Sequence, residues 1–352
     1  MNREGVSARL HENQKERTQG AIMNTKSQFP VVSRKSPLAL AQANAVARAL
    51  GETLGLNGDE QSARLPVLGL VSSGDKNLAA SLADAGGKGL FTKEIEEALL
   101  ERRARIAVHS MKDMPVLSPP GLIIGAIPVR EDPRDAFIST HFQTPWELPS
   151  GSTVGTASVR RRAQLLARRP DLTCVSLRGN VSTRLSKIKL GDADGTFLAI
   201  AGLKRLGLDK AASRIMPVEE MLPAVGQGAL CIQVREDDDE ARKLVEKVAC
   251  PVTSLCVLAE RAFMAQLDGS CRTPLAGHCT IKDGTLTLTG EILQDASDDE
   301  GGVSVKSFRE TASLSLPGND RHENLRSSEL CEEIAALGVG LAKRLPGFTR
   351  GA

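Results

Sequence analysis

Short apolar runs alternate with helix-like patterns through the first two thirds of the chain. From Val31, the run VVSR precedes an amphipathic segment with Pro37 in its first turn. The run LPVLGLVS then predicts a strand, and FTKEIEEALLERRA (residues 91–104) predicts an amphipathic helix. The apolar run IAVHS leads directly into the turn MKDMP. Proline is common in the first turn of a helix, because its missing N–H is not needed there. Strands that alternate with helices in this way are typical of α/β units with a largely parallel sheet.

A second series of the same kind follows a charged, proline-containing connector, PVREDPRD, at residues 128–135. It comprises the apolar runs TVGT, LTCVSL and GTFLAIAG and the helical patterns ASVRRRAQLLARR and NVSTRLSKIKL. The segment LPAVGQGALCIQV then provides a glycine-rich turn and a strand that we expect to return to the first series. Two α/β lobes joined by two crossovers would enclose a cleft, and such sheets bind ligands beyond the carboxyl ends of their strands.

The pattern changes near residue 250. One long helical segment, TSLCVLAERAFMAQL, is followed by the alternating runs TLTLTGEIL, VSVKSF and TASLSL and by a final helix near Leu330 to Leu345. Alternation of apolar and polar positions is the signature of half-buried strands. The sequence therefore predicts an α/β protein with two lobes and a small α+β third domain that contains an antiparallel sheet.

These changes of pattern predict three domains behind a disordered extension at residues 1–29. Domain 1 comprises residues 30–128 and 229–246, domain 2 comprises residues 129–228, and domain 3 comprises residues 247–352. The length of 352 residues agrees with this division, since a single hydrophobic core rarely serves more than about 250–300 residues.

Composition argues against two classes of partner. The apolar runs are well short of the roughly 20 residues that span a bilayer, and a net charge of +2 with 3% aromatic residues disfavours nucleic-acid binding. The seven cysteines lack CxxC spacing and mostly lie in apolar patterns. We therefore expect reduced thiols in a cytoplasmic protein, with neither a disulfide framework nor a zinc site.

Basic residues recur where the predicted strands give way to helices. A helix start offers free backbone amides, and arginine binds carboxylates through two parallel hydrogen bonds. A solvated helix face is the ordinary explanation of any single basic run, whereas recurrence in both lobes favours a cleft for a ligand with several carboxylates. The basic residues are Arg34 and Lys35 in the first lobe and Arg160, Arg161, Arg162, Arg178 and Arg184 in the second. Ser36 lies beside the first group, and Ser158 precedes the second as a candidate N-cap hydroxyl.

Three other positions are chemically notable. Lys112 and Asp113 follow a strand that the pattern predicts to be buried, where an aspartate can stabilise a cation or transfer a proton, or simply cap its own turn. His109, on that strand, is expected to be structural. Cys271 lies in the small-residue turn GSCRTP after a helix, a position suited to covalent attachment, with an unremarkable free thiol as the alternative.

Together these segments resemble the porphobilinogen deaminase family. The resemblance extends from Val31 to Leu345, and the combination of motifs is far more specific than any one of them. In chain order the motifs are SRKSPLALAQA, GGKGLFTKEIE, IAVHSMKDMP, REDPRDAFIS, VGTASVRRRAQL, SLRGNVSTRLSK, LAIAGLKRLGL, LPAVGQGAL and LDGSCRTPLAG.

The resemblance implies a reaction and a cofactor. Members of this family join four porphobilinogen molecules head to tail, with release of ammonia, and give linear hydroxymethylbilane for tetrapyrrole synthesis. They build it on a dipyrromethane primer that a loop cysteine holds through a thioether, and Cys271 occupies the place of that cysteine. The resemblance also implies two lobes like those of periplasmic binding proteins, a third domain that bears the cysteine, a monomer, and no need for a metal.

Individual residues acquire roles by the same resemblance. Asp113 matches the aspartate that binds pyrrole N–H groups and stabilises a cationic intermediate, and Lys112 lies beside it. Phe91 and Lys88 match a mobile loop. The implied cofactor-binding residues are Cys271, Arg34, Ser36, Lys112, Ser158, Arg160, Arg161, Arg178 and Arg184, and the implied substrate-binding residues are Arg34, Arg178, Arg184, Arg205, Phe91 and Lys88.

One departure from the family pattern and one rival function stay open at this point. Gly195, Thr196 and Phe197 replace an Asp-Ala-Ile-like run, which affects strand packing and local stability more than catalysis. A two-lobed binding protein that holds a carboxylated small molecule without converting it would share the lobes and the arginines. It would have no need of Cys271 or Asp113.

Overall fold

Three sheets and nine helices make up the described part of the chain. The computed structural model describes residues 28–73, 91–267, 274–297, 303–316 and 327–345. The strands are β1 (Val31–Arg34), β2 (Val67–Leu70), β3 (Ile106–Ser110), β4 (Leu122–Ala126), β5 (Asp135–Ile138), β6 (Thr153–Gly155), β7 (Thr173–Val175), β8 (Gly195–Ala199), β9 (Arg214–Ile215), β10 (Leu230–Arg235), β11 (Leu275–Lys282), β12 (Thr285–Ser297) and β13 (Val303–Ser315). The helices are α1 (Pro37–Thr53), α2 (Gly58–Arg64), α3 (Lys93–Leu100), α4 (Val159–Leu166), α5 (Val181–Lys189), α6 (Ile200–Arg205), α7 (Asp239–Glu246), α8 (Pro251–Gln266) and α9 (Ser328–Arg344).

The first two sheets repeat one arrangement. The first has the order β2-β1-β3-β10-β4 and the second has the order β7-β6-β8-β5-β9. In each, the fourth strand is antiparallel to both neighbours, β10 in the first sheet and β5 in the second. The chain enters the second sheet through β5 and returns to the first through β10, so the predicted return of LPAVGQGALCIQV is confirmed.

The third sheet is an antiparallel meander, β11-β12-β13. Its apolar face packs against α8 and α9 around a core that includes Phe263, Leu288 and Ile334. The two helices approach closely at Gly338, where a Cβ atom would lie 2.5 Å from the Ala259 carbonyl oxygen. The predicted fold class, α/β with a small antiparallel third sheet, is confirmed, whereas the predicted domain boundaries stay a prediction.

Some local predictions were wrong. The runs VSVKSF and TASLSL form one strand, β13, and not two. The segment from Phe91 to Ala104 was expected to be helical, but α3 covers only Lys93–Leu100, because Arg102 adopts a left-handed φ of 60° that ends the helix. Helix α2 was not predicted at all, since none of its residues is buried and it therefore has no apolar stripe.

The unusual run at the start of β8 is explained by an aromatic pair. The rings of Phe137 and Phe197 lie 5.4 Å apart in a tilted arrangement, and both side chains are buried. A Cβ atom at Gly195 would lie 2.6 Å from the Phe137 ring, so glycine makes room for that ring. Gly195 and Phe197 therefore both pack against the Phe137 ring, which explains why a small and a large residue alternate here.

No single helix in the described ranges is long and apolar enough to cross a membrane. Helices α7 and α8 reach that length only together, and they are bent by 107° relative to each other.

Candidate cofactor and substrate site

The turn that follows β3 carries Lys112 and Asp113. All but the last residue of β3 are buried, and Met111–Asp113 form a single 3-10 turn at its carboxyl end. Gly226 packs against this turn with a φ of +71°, and a Cβ atom there would lie 2.6 Å from Met111 Cγ. A glycine is therefore required for the second crossover, the segment between β9 and β10 (residues 216–229), to approach the turn.

His109, near the end of β3, is a structural histidine as expected. Its Nε2 lies 3.2 Å from Gln233 Oε1, and both side chains are buried. Burial lowers the pKa of His109 to about 4, and the Gln233 contact opposes this shift only in part. The imidazole is therefore neutral at physiological pH.

Lys112 faces charges from the second sheet. Burial, the largest cause, acts together with the charges of Arg161 and Arg160 to lower the pKa of Lys112 to about 8, while Asp113 and Asp135 oppose the shift. Both arginines and Asp135 belong to elements of the second sheet, whereas Lys112 follows a strand of the first. The structure thus brings the Lys112–Asp113 turn and the start of α4 to one place.

Asp135 is a buried carboxylate that the sequence analysis did not single out. It accepts hydrogen bonds from Arg160 Nη2 (2.7 Å), Arg161 Nη2 (2.7 Å) and Gln227 Nε2 (2.9 Å). Burial raises the pKa of Asp135, but the two guanidinium groups outweigh this effect and hold it well below its usual range. The sequence did contain one sign that Asp135 would be buried: it directly precedes the apolar run AFI.

Arg160 and Arg161 were expected to reach outward to a ligand, but the structure buries both side chains. Besides Asp135, Arg160 donates to the Leu222 carbonyl and Arg161 to the Phe197 carbonyl, each at 2.8 Å. Arg160 Nε, however, has no hydrogen-bond partner among the described residues. Their assignment as cofactor-binding residues stays a prediction.

Arg178 and Arg184 extend the cationic group along the carboxyl edge of the second sheet. Burial, together with repulsion from Arg161 and Arg178, lowers the pKa of Arg184 to about 10. Arg184 Nε donates to the Gly179 carbonyl at 2.8 Å, and Arg178 Nε donates to Ser176 Oγ at 3.3 Å. An anion placed beside Arg184 would offset the repulsion that Arg161 and Arg178 exert on it.

Hydroxyl and amide side chains cap the N-termini of helices at the carboxyl edges of the first two sheets. Ser158 caps α4 by accepting from the Arg161 backbone N–H (3.4 Å), and Asn180 caps α5 by accepting from the Thr183 backbone N–H (2.8 Å). On the first sheet, Ser36 caps α1 by accepting from the Ala39 backbone N–H (3.3 Å). The two predicted site serines, Ser36 and Ser158, therefore cap helix starts by accepting from a backbone N–H of the first turn.

Three further predicted site residues, Arg34, Phe91 and Arg205, make contacts within the protein. The Arg34 guanidinium lies 4.3 Å from the centroid of the Phe91 ring, a cation–π contact at the carboxyl end of β1. Arg205 donates to the Gly228 carbonyl at 2.7 Å, and burial lowers the pKa of Arg205 while Glu131 raises it. Arg205 is thereby bonded to the second crossover.

Two predicted site residues, Lys88 and Cys271, lie outside the described residues. The other six cysteines, which are all described, are free thiols. In the described ranges, no group of three or more His, Cys, Asp or Glu side chains is placed to hold a metal ion.

Family models match most of the chain. The model described as the porphobilinogen deaminase dipyrromethane cofactor binding domain matches residues 29–243, and the model of the C-terminal domain of the same family matches residues 254–313. The chain belongs to the porphobilinogen deaminase family.

Individual porphobilinogen deaminases are similar over nearly their whole length. The protein from Nitrobacter winogradskyi is 49% identical over 261 residues, which cover 74% of this chain and 81% of that protein. The protein from Paracoccus denitrificans is 46% identical over 84% of this chain and 92% of that protein. The protein from Nitrosomonas europaea is 43% identical over 90% of this chain and its own full length.

A solved structure of a lipoprotein from Bacillus subtilis, described as methionine-binding, is also similar, with a TM-score of 0.39 and 14% identity over 63% of this chain and 90% of that one. This remote similarity does not inform the site.

The described residues fit the group that the family model names. A dipyrromethane that carries acetate and propionate side chains is a polyanion. The site offers a cationic group in which neighbouring arginines lower the pKa of Lys112 and of Arg184. Arg160 Nε is in addition a buried donor without an acceptor among the described residues. The residues that would hold the cofactor are Lys112, Arg160, Arg178 and Arg184, an assignment that stays a prediction.

Proposed function

We propose that this chain is a hydroxymethylbilane synthase. It condenses four porphobilinogen molecules head to tail, releases one ammonia for each, and builds the product on a dipyrromethane primer bound to Cys271. The observation that carries the proposal is the convergence of Asp113 and Lys112 from the first sheet with Arg160, Arg161 and Arg184 from the second, in a chain of the porphobilinogen deaminase family.

The cationic residues bind and orient the growing chain. Each porphobilinogen unit carries two carboxylates, so a chain of six rings carries about a dozen, and arginine pairs with carboxylates bidentately. Asp135 already neutralises part of the charge of Arg160 and Arg161. Arg184, whose pKa is lowered by burial and by two neighbouring cations, gains more from an added anion. In this proposal the pairs of Arg160 and Arg161 with Asp135 form a rigid support, and Arg184 belongs to the surface that contacts the carboxylates of the growing chain.

Asp113 and Lys112 serve the chemical step. A carboxylate fixed at a strand end stabilises positive charge that develops on the substrate as ammonia leaves, because it needs no reorganisation at that moment. Lys112, with a pKa of about 8, is protonated in most molecules at neutral pH and holds a carboxylate of the substrate next to Asp113. The primer, when bound, supplies the nucleophilic α-carbon.

The proposal also includes the domain boundaries, the cellular compartment and the oligomeric state. We assign one domain to each sheet, with the boundaries given above, and place Cys271 in the third. We further assign the protein to the cytoplasm as a monomer. The free thiols of all six described cysteines support a reducing compartment.

Turnover stoichiometry tests the proposal. The purified protein is incubated with porphobilinogen, and the substrate consumed, the ammonia released and the hydroxymethylbilane formed are measured over time. We expect four substrate molecules consumed and four ammonia molecules released for each product. Saturable binding of porphobilinogen without any consumption would instead identify a two-lobed binding protein.

A further inference from the structure

Arg261, on α8, contacts the segment that follows the Lys112–Asp113 turn. Its Nη2 donates to the carbonyl oxygens of Pro115 (2.7 Å) and Val116 (2.8 Å). Its Nη1 lies 3.8 Å from the sulfur of Met111. One guanidinium group therefore contacts the chain on both sides of Asp113.

Apolar packing brings the same face of α8 to the turn. Val257 lies one helical turn before Arg261 and belongs to a buried cluster with Met111 and Met114. Residues four apart lie on the same face of a helix. This face of α8 therefore makes an apolar contact with the turn through Val257 and two hydrogen bonds, through Arg261, to the backbone that follows the turn.

A third contact closes the arrangement. Glu260, next to Arg261 in sequence, accepts a hydrogen bond from the Gly226 backbone N–H at 2.7 Å. Gly226 packs directly on Met111, as described above. The Met111–Asp113 turn is therefore held between α8 and the second crossover, and both contacts depend on adjacent residues of one helix.

We propose that Arg261 is a positioning residue that fixes the Met111–Asp113 turn relative to α8. Helix α8 ends at Gln266, and Cys271 follows five residues later in the sequence. The bonds of Arg261 therefore set where the Met111–Asp113 turn lies relative to α8, the helix that precedes Cys271 in the sequence. That this placement matters for catalysis rests on the proposed function.

Arg261→Lys is the decisive variant. A lysine keeps the charge but loses the planar fork that bonds two successive carbonyls at once. Arg261→Gln serves as a second variant, because its amide keeps one donor at this place and removes the charge.

Phe263→Leu is the matched control. Phe263 lies two residues further along α8 and packs into the core of the third sheet instead of against the turn. This substitution destabilises the packing of the same helix without changing a contact to the Met111–Asp113 turn. It therefore reports what loss of stability alone does to activity.

Two readouts separate positioning from stability. For Arg261→Lys we expect kcat to fall about tenfold with KM within about twofold of wild type, since misplacement of a reacting group lowers the rate of the chemical step. Phe263→Leu should retain a kcat close to wild type at a comparable or lower unfolding temperature. Hydrogen exchange of the peptide over residues 110–117 should be faster in Arg261→Lys and Arg261→Gln and unchanged in Phe263→Leu.

The outcomes that overturn the inference are distinct from failure of the proposed function. If both Arg261 variants match Phe263→Leu in kcat and in exchange at residues 110–117, Arg261 does not position the turn. If wild type itself does not convert porphobilinogen, the proposed function is wrong. In that case the exchange measurement alone decides whether Arg261 fixes the turn.

Discussion

The Arg130 guanidinium donates to both carboxylate oxygens of Glu260, at 2.6 and 3.2 Å. Arg130 lies in the first crossover, the segment between β4 and β5 (residues 127–134), and Glu260 is fully buried on α8. The same carboxylate accepts backbone N–H bonds from Gly226 (2.7 Å) and Cys279 (2.8 Å). Burial raises the pKa of Glu260, but Arg130 and His278 outweigh it and hold the pKa at about 2. One ionised carboxylate thus connects both crossovers with the third sheet.

Removal of Arg130 should therefore destabilise the protein strongly. Arg130→Met leaves a buried charge without its ion-pair partner, which typically costs about 3–5 kcal/mol. The measurement is the free energy of unfolding in urea. The control is Glu97→Gln, which breaks the exposed Lys93–Glu97 pair at 3.9 Å and should cost under about 0.5 kcal/mol. Equal effects of the two variants would show that the buried pair contributes nothing special.

Gly228 should not tolerate a side chain. Its φ is +88°, and a Cβ atom there would overlap the Glu131 carbonyl oxygen. Gly228→Ala should therefore lower the unfolding temperature and displace the carbonyl to which Arg205 bonds. Gly340→Ala is the control, since Gly340 lies in α9 and an added Cβ would meet no described atom within 4 Å. There alanine should stabilise by about 0.5–1 kcal/mol, and a Gly228→Ala protein as stable as wild type would refute the steric argument.

Much of the fold could be predicted because it rests on local periodicity. The strand and helix alternation, the return of β10 and the change near residue 250 all follow from short apolar patterns along the chain. Helix α2 could not be predicted in this way, because none of its side chains is buried. The end of α3 was missed because it depends on the left-handed φ of Arg102, which the sequence does not favour.

The sequence identified many residues of the candidate site, but it did not show which of their side chains form ion pairs with each other. Lys112 and Asp113 were identified from their position after β3, and the arginines from their recurrence at strand ends. That Arg160 and Arg161 share Asp135 could not be inferred, because the partners are 25 and 26 residues apart and meet only through the order of strands in the second sheet. Glu260 likewise has the sequence context of a solvated helix face and yet is fully buried.

The pKa of Lys112 predicts a dependence of stability on pH. The folded protein releases this proton near its pKa of about 8, whereas the unfolded chain retains it to its ordinary pKa of 10.5. In that window the unfolded state binds more protons, so the free energy of unfolding rises with pH. In cofactor-free Cys271→Ser protein, the wild-type lysine should gain about 2 kcal/mol relative to Lys112→Met between about pH 8 and pH 10. A constant difference between the two proteins would mean that Lys112 titrates normally.

Asp113 should be essential for turnover and dispensable for folding. Asp113→Ala removes the carboxylate that stabilises positive charge on the substrate, and we expect a loss of about 10²-fold or more in kcat. The unfolding temperature should change little, because the side chain is only partly buried. Formation of hydroxymethylbilane by this variant at the wild-type rate would show that the mechanism is wrong.

The measurement that tests the central claim most directly is the intact mass of the denatured protein beside that of Cys271→Ser. We predict that wild type exceeds the mass of its bare chain by two deaminated porphobilinogen units and that Cys271→Ser does not. This result would establish the covalent primer and, with it, the reaction class. A wild-type protein that retains its bare-chain mass even after incubation with porphobilinogen would contradict the account and leave a binding protein on the same scaffold.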